Sequence, residues 1–287
     1  MKSIISAIEK NKVDYDSVIR ESEFCINWYG DCRFSVIVPV RGRERFLPVL
    51  IDSFIKTGYK DYCITVVEHS DIPTHKVNCS GINYIHIPAK GKPFNKCLSF
   101  NIGVIASCRG DYYIFHDLDC LVQKSFFDNL ISVIEKNDAE LVQPFKDRTI
   151  FFCTESLTNV IISGGVDVNE LHLEYEGMLP SIPSHIGAPG GSMMVSRDLF
   201  FAVGGYDPEL FWLYAPEDAF FLVKLLIFAE LFTVQNSDIF HMWHPLTTHS
   251  NPDLKSQINI WKLFMSLPLE NREAIVEHKR KLIEKYT

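Results

Sequence analysis

The chain has 287 residues, 47% of them hydrophobic and 22% charged, with 28 Lys plus Arg against 36 Asp plus Glu and a formal net charge of −8. That size supports a core without disulfide or metal staples, and the composition excludes disordered, collagen-like and coiled-coil proteins. The acidic balance argues against a protein whose main task is gripping nucleic acid, while leaving room for local basic pockets.

The opening stretch, MKSIISAIEKNKVDYD, interrupts its apolar patch at Glu9 and offers no small-residue cleavage site, so it does not read as a signal peptide. Residues 1–30 read as polar and helical. Phe34–Val40 is a β-branched run that predicts a buried strand, followed by a charged loop, Arg41–Arg45, and an amphipathic helix ending near Gly58. Further strands are predicted at Tyr62–Ser70 and Ile82–Pro88. The loop AKGKPFNK then leads into a helix, CLSFNIGVIASC. DYYIFHDLDC is a strand ending in carboxylates, and SFFDNLISVIEKN a helix. Strands and helices alternating in this way predict an α/β sheet with a largely parallel centre.

Beyond Leu141 the pattern loosens. VQPFKDRTIFF reads as one strand, and residues 154–189 as a long connection with a helix near its start and the length of a lid. Gly190–Ser196 is a short strand, RDLFFAVGGYDP a helix closed by Gly204-Gly205, and residues 216–231 a helix opened by Pro216. QNSDIFHMWHP is a strand running into a histidine pair, and residues 252–287 are helical and amphipathic. The most membrane-like run, Ala219–Val234, carries Lys224 and Glu230 and is too short to span a bilayer. No two of the eight cysteines are spaced C-x-x-C, so they read as free thiols of a cytoplasmic protein, with room for peripheral contact at the inner membrane face.

Ligands of open α/β sheets bind beyond the carboxyl ends of the strands. Three polar sets fall there: Arg41–Arg45, Glu68-His69-Ser70, and His116 with Asp117 and Asp119. Taken alone, Asp117 and Asp119 read as a solvated turn at least as readily as a site for a cation that bridges two phosphates. His241 and His244 could share one metal, Mn or Zn suiting imidazole, or one could be buried while the other faces water. Glu217-Asp218 could hold a general base, or simply place acids where a helix start favours them. No P-loop, G-x-S-x-G or H-E-x-x-H motif occurs.

In combination and in order, these segments resemble the GT-A glycosyltransferases of the family-2 type, with a galactosyltransferase-like C-terminal segment. FSVIVPVRGRERFL resembles the first strand and its nucleotide loop. KPFNKCLSFNIGVIASCRGDYYIFHDLDC resembles the helix, strand and Asp-x-Asp of that group. GGSMMVSRDLFFAVGGYDPELFWLYAPEDAFFLVKL resembles the later Gly pair, G-G-[YF]-D and Glu-Asp. The resemblance covers about residues 34–250 as a catalytic domain, leaving 1–33 and 251–287 as helical extensions.

It implies an α/β nucleotide-diphospho-sugar transferase fold and a metal-dependent glycosyltransferase, with UDP favoured and Mn2+ or Mg2+ as cofactor. Asp119, assisted by Asp117, would hold the metal together with His244, and with His241 where related enzymes carry Met. Pro39, Arg41, Arg45 and Glu68 would line the nucleotide pocket, with Lys96 and Asn101 near the sugar or diphosphate. Asp218 would be the base that deprotonates an acceptor hydroxyl, giving inversion, while Glu217 and Trp212 shape the sugar subsites. The acceptor would be a glycan, a lipid-linked saccharide or a protein. Several positions depart from the usual pattern: Ser99-Phe100 before Asn101, the Arg-rich loop, Glu68 for Asp, and Pro216 for Gly. Those departures bear on the donor more than on the reaction class. Two alternatives are a sugar nucleotidyltransferase, for which Arg41–Arg45 is a weak version of the expected Gly-rich loop, and a carbohydrate-binding scaffold on the same fold.

Overall fold

The structure, a computed structural model, describes residues 1–28, 30–74, 82–171, 189–245 and 251–287, and the backbone of 185–186. Two helices, α1 (Lys2–Lys10) and α2 (Tyr15–Glu21), and a short strand, β1 (Glu23–Cys25), open the chain. They lead to β2 (Cys32–Val40), α3 (Leu47–Lys56), β3 (Tyr62–Ser70), β4 (Ile82–Pro88), α4 (Lys96–Ala106) and β5 (Gly110–His116), all near their predicted limits. Next come β6 (Cys120–Val122), α5 (Phe126–Asn137), β7 (Leu141–Gln143), β8 (Thr149–Phe152) and α6 (Glu155–Ile162). The last third holds β9 (His185–Ile186), β10 (Ser192–Ser196), α7 (Arg197–Ala202), α8 (Glu217–Leu225), β11 (Leu231–Thr233), β12 (Ile239–His241), α9 (Leu254–Ser266) and α10 (Leu269–Ile283).

Among the described residues, eight strands form one sheet in the order β1-β4-β3-β2-β5-β10-β7-β11, and β6-β12-β8-β9 form a smaller one. β2 pairs in parallel with both β3 and β5, while β10 runs antiparallel to β5 and β7. The chain builds outward from β2 to β4, then returns to the other side of β2 at β5. That reversal opens a crevice at the carboxyl ends of β2 and β5, the topological switch point at which such sheets bind ligands. The loop Arg41–Arg45 and the pair Asp117 and Asp119 leave the sheet there.

Both faces of the central strands are covered, which explains their unbroken apolar runs. Phe34, Val36, Val38 and Val40 of β2 join one cluster with Leu50, Phe54, Phe126 and Phe127, whereas Ile37 faces Phe100, Phe115, Phe200 and Phe221 on the other side. The second cluster also contains Ile4, Ile8 and Tyr15 from the first helices and Phe264, Ile275 and Ile283 from the last ones. Helix α4 lies so close to β2 that a Cβ on Gly103 would meet Ile37 Cγ2 at 2.3 Å.

Three expectations are corrected. The strand expected over 142–152 divides between the two sheets as β7 and β8. Pro144 cannot donate to a ladder, and Asp147 and Arg148 take left-handed backbone (φ 51° and 55°). The helix expected over 216–231 ends at Leu225, because the chain turns there and Leu231–Thr233 pairs with β7 at the sheet edge. Finally, Cys63 and Cys108 form a disulfide beside Cys32, so the free-thiol reading holds for Cys25, Cys32, Cys97, Cys120 and Cys153 but not for that pair. Cys79 and part of the expected lid, residues 172–184 and 187–188, lie outside the described residues. No helix among the described residues is long and apolar enough to cross a membrane.

Candidate active site

Two clusters of charge converge on the switch point, and the Asp-x-Asp pair is divided between them. After β5 the chain turns through Cys120 N–H to Asp117 O (3.1 Å) and enters β6, which pairs with β12 so that Cys120 lies opposite His241. A bond from Met242 N–H to Asp119 O (2.7 Å) closes that corner. His116, fully buried, braces the turn with Nε2 against Cys120 O (2.8 Å) and Nδ1 against Ser192 Oγ (2.9 Å).

The first cluster is Asp119, His241 and His244, whose ligand atoms all lie within 4.8 Å of one another. His241 Nε2 is 3.4 Å from Asp119 Oδ1 and His244 Nε2 is 3.2 Å from Oδ2. Arg43 Nη1 donates to the same Oδ2. Burial disfavours charge on Asp119, but the two histidines and Arg43 outweigh it and hold its carboxyl well below the usual carboxylate range. His244 Nδ1 lies 3.0 Å from Pro245 O. Pro245 O can only accept, so Nδ1 donates there and Nε2 is the nitrogen turned toward Asp119, the orientation of a metal-binding imidazole. His241 stacks on Phe152 at 4.5 Å, and its buried Nδ1 has no hydrogen-bond partner among the described residues. One carboxylate and two imidazoles make a donor set suited to a divalent transition metal.

The second cluster centres on Lys96, the first residue of α4. Its position follows from the helix cap: Asn95 Oδ1 accepts from Leu98 N–H (2.9 Å), while Asn95 Nδ2 donates to Pro208 O (2.9 Å). His69 Nδ1 accepts from Asn95 N–H at 3.0 Å; burial, and next the nearby Arg41, pull its pKa down to about 4 and keep the ring a neutral acceptor. Lys96 Nζ then reaches Asp117 Oδ1 (2.7 Å), Asp218 Oδ2 (2.9 Å) and Glu217 Oε1 (3.9 Å). Burial penalises the ammonium, yet the three carboxylates prevail and its pKa stands well above the ordinary lysine value. For Glu217, burial and then Asp218 push the pKa up to about 8. Burial also raises Asp218, against the pull of Lys96.

Gly190 completes this cluster by omission, since a Cβ there would lie 2.3 Å from Asp218 Oδ2. Asp117 N–H bonds Gly191 O at 2.9 Å, so β5 and the Gly pair are fixed to each other. Tyr206 offers its hydroxyl to Asp218 Oδ1 at 3.4 Å and stacks on Phe221.

The structure therefore brings together Asp119, His241 and His244, and separately Lys96, Asp117, Glu217 and Asp218. Asp117 points to Lys96 and is not in the triad. Of the three loop arginines Arg43 reaches Asp119, whereas Arg41 donates to Lys92 O (3.2 Å) and Arg45 lies over the Phe46 ring. Arg43 and Gly190 are the site residues that the sequence reading missed. Arg43 lies inside the Arg-Gly-Arg-Glu-Arg loop, but nothing in that string says which arginine faces inward.

Pro39 and Glu68 sit at the neighbouring ends of β2 and β3. Glu68 is fully buried and accepts from Ser70 Oγ (2.6 Å), Thr74 N–H (3.0 Å) and Tyr84 OH (2.6 Å), so its carboxylate organises the end of β3. Asn101, expected near the sugar or diphosphate, is buried with its amide spent internally: Oδ1 accepts from Tyr206 N–H (2.9 Å), and Nδ2 donates to Tyr206 O (3.0 Å) and Tyr15 OH (2.7 Å). Trp212 lies in the loop before α8; its carbonyl accepts from Asn251 Nδ2 at 2.9 Å.

Comparison with known proteins fits this geometry. The profile of the family described as "Glycosyl transferase family 2" matches residues 35–200. No curated protein sequence matches the chain. Among solved structures, S. aureus TarS 1–349 superposes with a TM-score of 0.56 at 13% identity, over 89% of this chain and 72% of that one. TarS 1–349 in complex with UDP-GlcNAc gives 0.53 at 14% identity, over 88% and 71%. GalNAc-T7 with UDP, GalNAc and Mn2+ gives 0.54 at 16% identity, over 89% of this chain and 55% of that one. At these identities the likeness is one of fold, the GT-A arrangement of a mixed sheet flanked by helices.

Proposed function

Since the chain belongs to glycosyl transferase family 2, we propose that it moves a sugar from a nucleoside-diphosphate donor, a UDP-sugar, to a hydroxyl of a glycan-type acceptor, with Mn2+ and with inversion. The observation that carries this reading is the Asp119, His241 and His244 triad, set at the switch point within reach of Arg43 and beside the Lys96–Asp218 cluster.

Asp119 Oδ, His241 Nε2 and His244 Nε2 would hold the metal, which neutralises charge on a diphosphate leaving group when bound. Arg43 and Lys96 supply further positive charge where negative charge builds up on the departing diphosphate. Asp218 is the base: burial raises its pKa, Lys96 opposes that rise, and its carboxylate takes the proton of the incoming acceptor hydroxyl. Glu217, with its raised pKa, carries a proton near neutrality and donates to a sugar hydroxyl or ring oxygen. Trp212 offers an aromatic face to the acceptor side.

The test is a binding and hydrolysis screen of UDP-, GDP- and TDP-sugars, with and without Mn2+, on wild type and Asp119→Ala. Metal-dependent release of one nucleoside diphosphate, lost in the variant, is the expected result. Absence of nucleotide binding under every metal condition would refute the transferase. A product that retains the donor's anomeric configuration would overturn the role of Asp218.

A further inference from the structure

The guanidinium of Arg43 lies against Asp119 Oδ2, the oxygen that His244 also faces at 3.2 Å. Asp119 is almost fully buried, with its side chain 5% exposed, and a carboxylate so placed needs a compensating cation. Arg43 provides it from the β2–α3 loop, where Gly42 and Arg43 both take left-handed backbone (φ 69° and 59°) and the arginine side chain is 34% exposed. The cation is thus carried by an accessible loop side chain, whereas the carboxylate and both imidazoles are held by paired strands and the turns next to them.

A divalent ion and a guanidinium cannot both sit on one carboxylate without strong repulsion, since unit charges a few ångströms apart interact by several kcal/mol in a partly buried setting. We infer that Arg43 is the resident counter-ion of the metal site, which a divalent cation must displace and which the donor diphosphate then receives. The inference deepens the metal-dependent transferase reading and rests on it. Arg43 on Asp119 opposes the metal, and Arg43 drawn onto the diphosphate no longer does. Metal and nucleotide therefore assist each other through one side chain. By linkage the factor by which nucleotide tightens metal binding equals the factor by which metal tightens nucleotide binding.

Mn2+ binding, read from loss of the free-ion EPR signal, tests this on wild type, Arg43→Met and Arg43→Lys, with and without UDP. In wild type, UDP should tighten Mn2+ by about tenfold or more, within the usual span of coupling between sites. Arg43→Met should bind Mn2+ alone about tenfold tighter than wild type, and UDP should add little. Arg43→Lys, which keeps a cation beside Asp119, should fall between them, and it guards against a methionine variant that fails to fold. Mn2+ binding to Arg43→Met that is unchanged or weaker without UDP overturns the counter-ion role. So does a coupling to UDP as large in the variants as in wild type. Were wild type to bind Mn2+ but no nucleotide, the transferase reading would fail while the metal-only comparison still judged Arg43. If no Mn2+ binds to any of the three proteins, the counter-ion falls with the metal site.

Discussion

Glu217 and Asp218 are adjacent in sequence yet suited to opposite tasks. Lys96 sits 2.9 Å from Asp218 but 3.9 Å from Glu217, so the same cation favours ionisation of the first more than the second. Asp218→Asn should cut turnover by about 10²–10⁴-fold, the usual scale for losing a general base, while Mn2+ and UDP binding persist. A matching loss of UDP affinity would mean that Asp218 holds the donor instead. Glu217 makes a separate prediction through its pKa of about 8, raised by burial above the ordinary glutamate value of 4.5. Between those two values the folded protein keeps a proton that the unfolded chain has released, so stability falls as pH rises through that window and levels off above it. Glu217→Gln, neutral throughout, should therefore gain on wild type from pH 5 to pH 8, by roughly 10 °C in melting temperature at the upper end. A constant difference across the window would show that Glu217 is ionised in the fold.

Element by element, what the sequence made legible was whatever pattern and order alone decide. The β-branched runs at Phe34–Val40 and Tyr62–Ser70, the acidic end of β5, and the helix starts at Lys96 and Glu217 lie where periodicity and caps put them. The Asp119, His241 and His244 set came from the family resemblance, because taken singly an acidic turn and a histidine pair read as readily as solvated or core residues. Direction was not legible. Whether Asp117 turns to the triad or to Lys96 depends on the bond from Asp117 N–H to Gly191 O, a contact across more than 70 positions. Asn101 misled for the same reason: the resemblance sets it near the sugar or diphosphate, but Tyr206 and Tyr15 consume its amide. Asn101→Ala should cost about 2–4 kcal/mol in denaturant unfolding, because it strands buried backbone groups of Tyr206, and it should leave the affinity for Mn2+ unchanged. Gly190→Ala should do the reverse. Its Cβ would press on Asp218 Oδ2, so turnover should drop at least tenfold with Mn2+ affinity retained; normal turnover would remove the close approach from the account.

Across the whole molecule, the first and last helices close the core on which the loop before α8 rests. Ile4, Ile8 and Tyr15 share one apolar cluster with Phe100, Tyr206, Phe264 and Ile283. Asn11 Nδ2 donates to Glu209 O (3.1 Å), and His278 Nε2 lies 2.7 Å from Glu9. The strongest tie is electrostatic. Lys279 of α10 is fully buried and donates to the equally buried Glu209 at 2.7 Å, in the loop that carries the chain from Gly204-Gly205 toward Glu217 and Asp218. The attraction of Glu209 outweighs burial and keeps the Lys279 pKa above the ordinary lysine value. Removing one partner of such a pair leaves an uncompensated charge in the core, at a cost of about 3–5 kcal/mol, whereas replacing both with neutral groups of similar volume costs far less. Lys279→Met alone should thus lower stability by that amount and loosen the loop before α8. Lys279→Met with Glu209→Gln should recover most of the stability and the turnover together. Chemical denaturation and donor hydrolysis on the same three proteins decide it: if the double variant is no better than the single one, α10 supports the site through apolar contact, and the buried ion pair is incidental to that support.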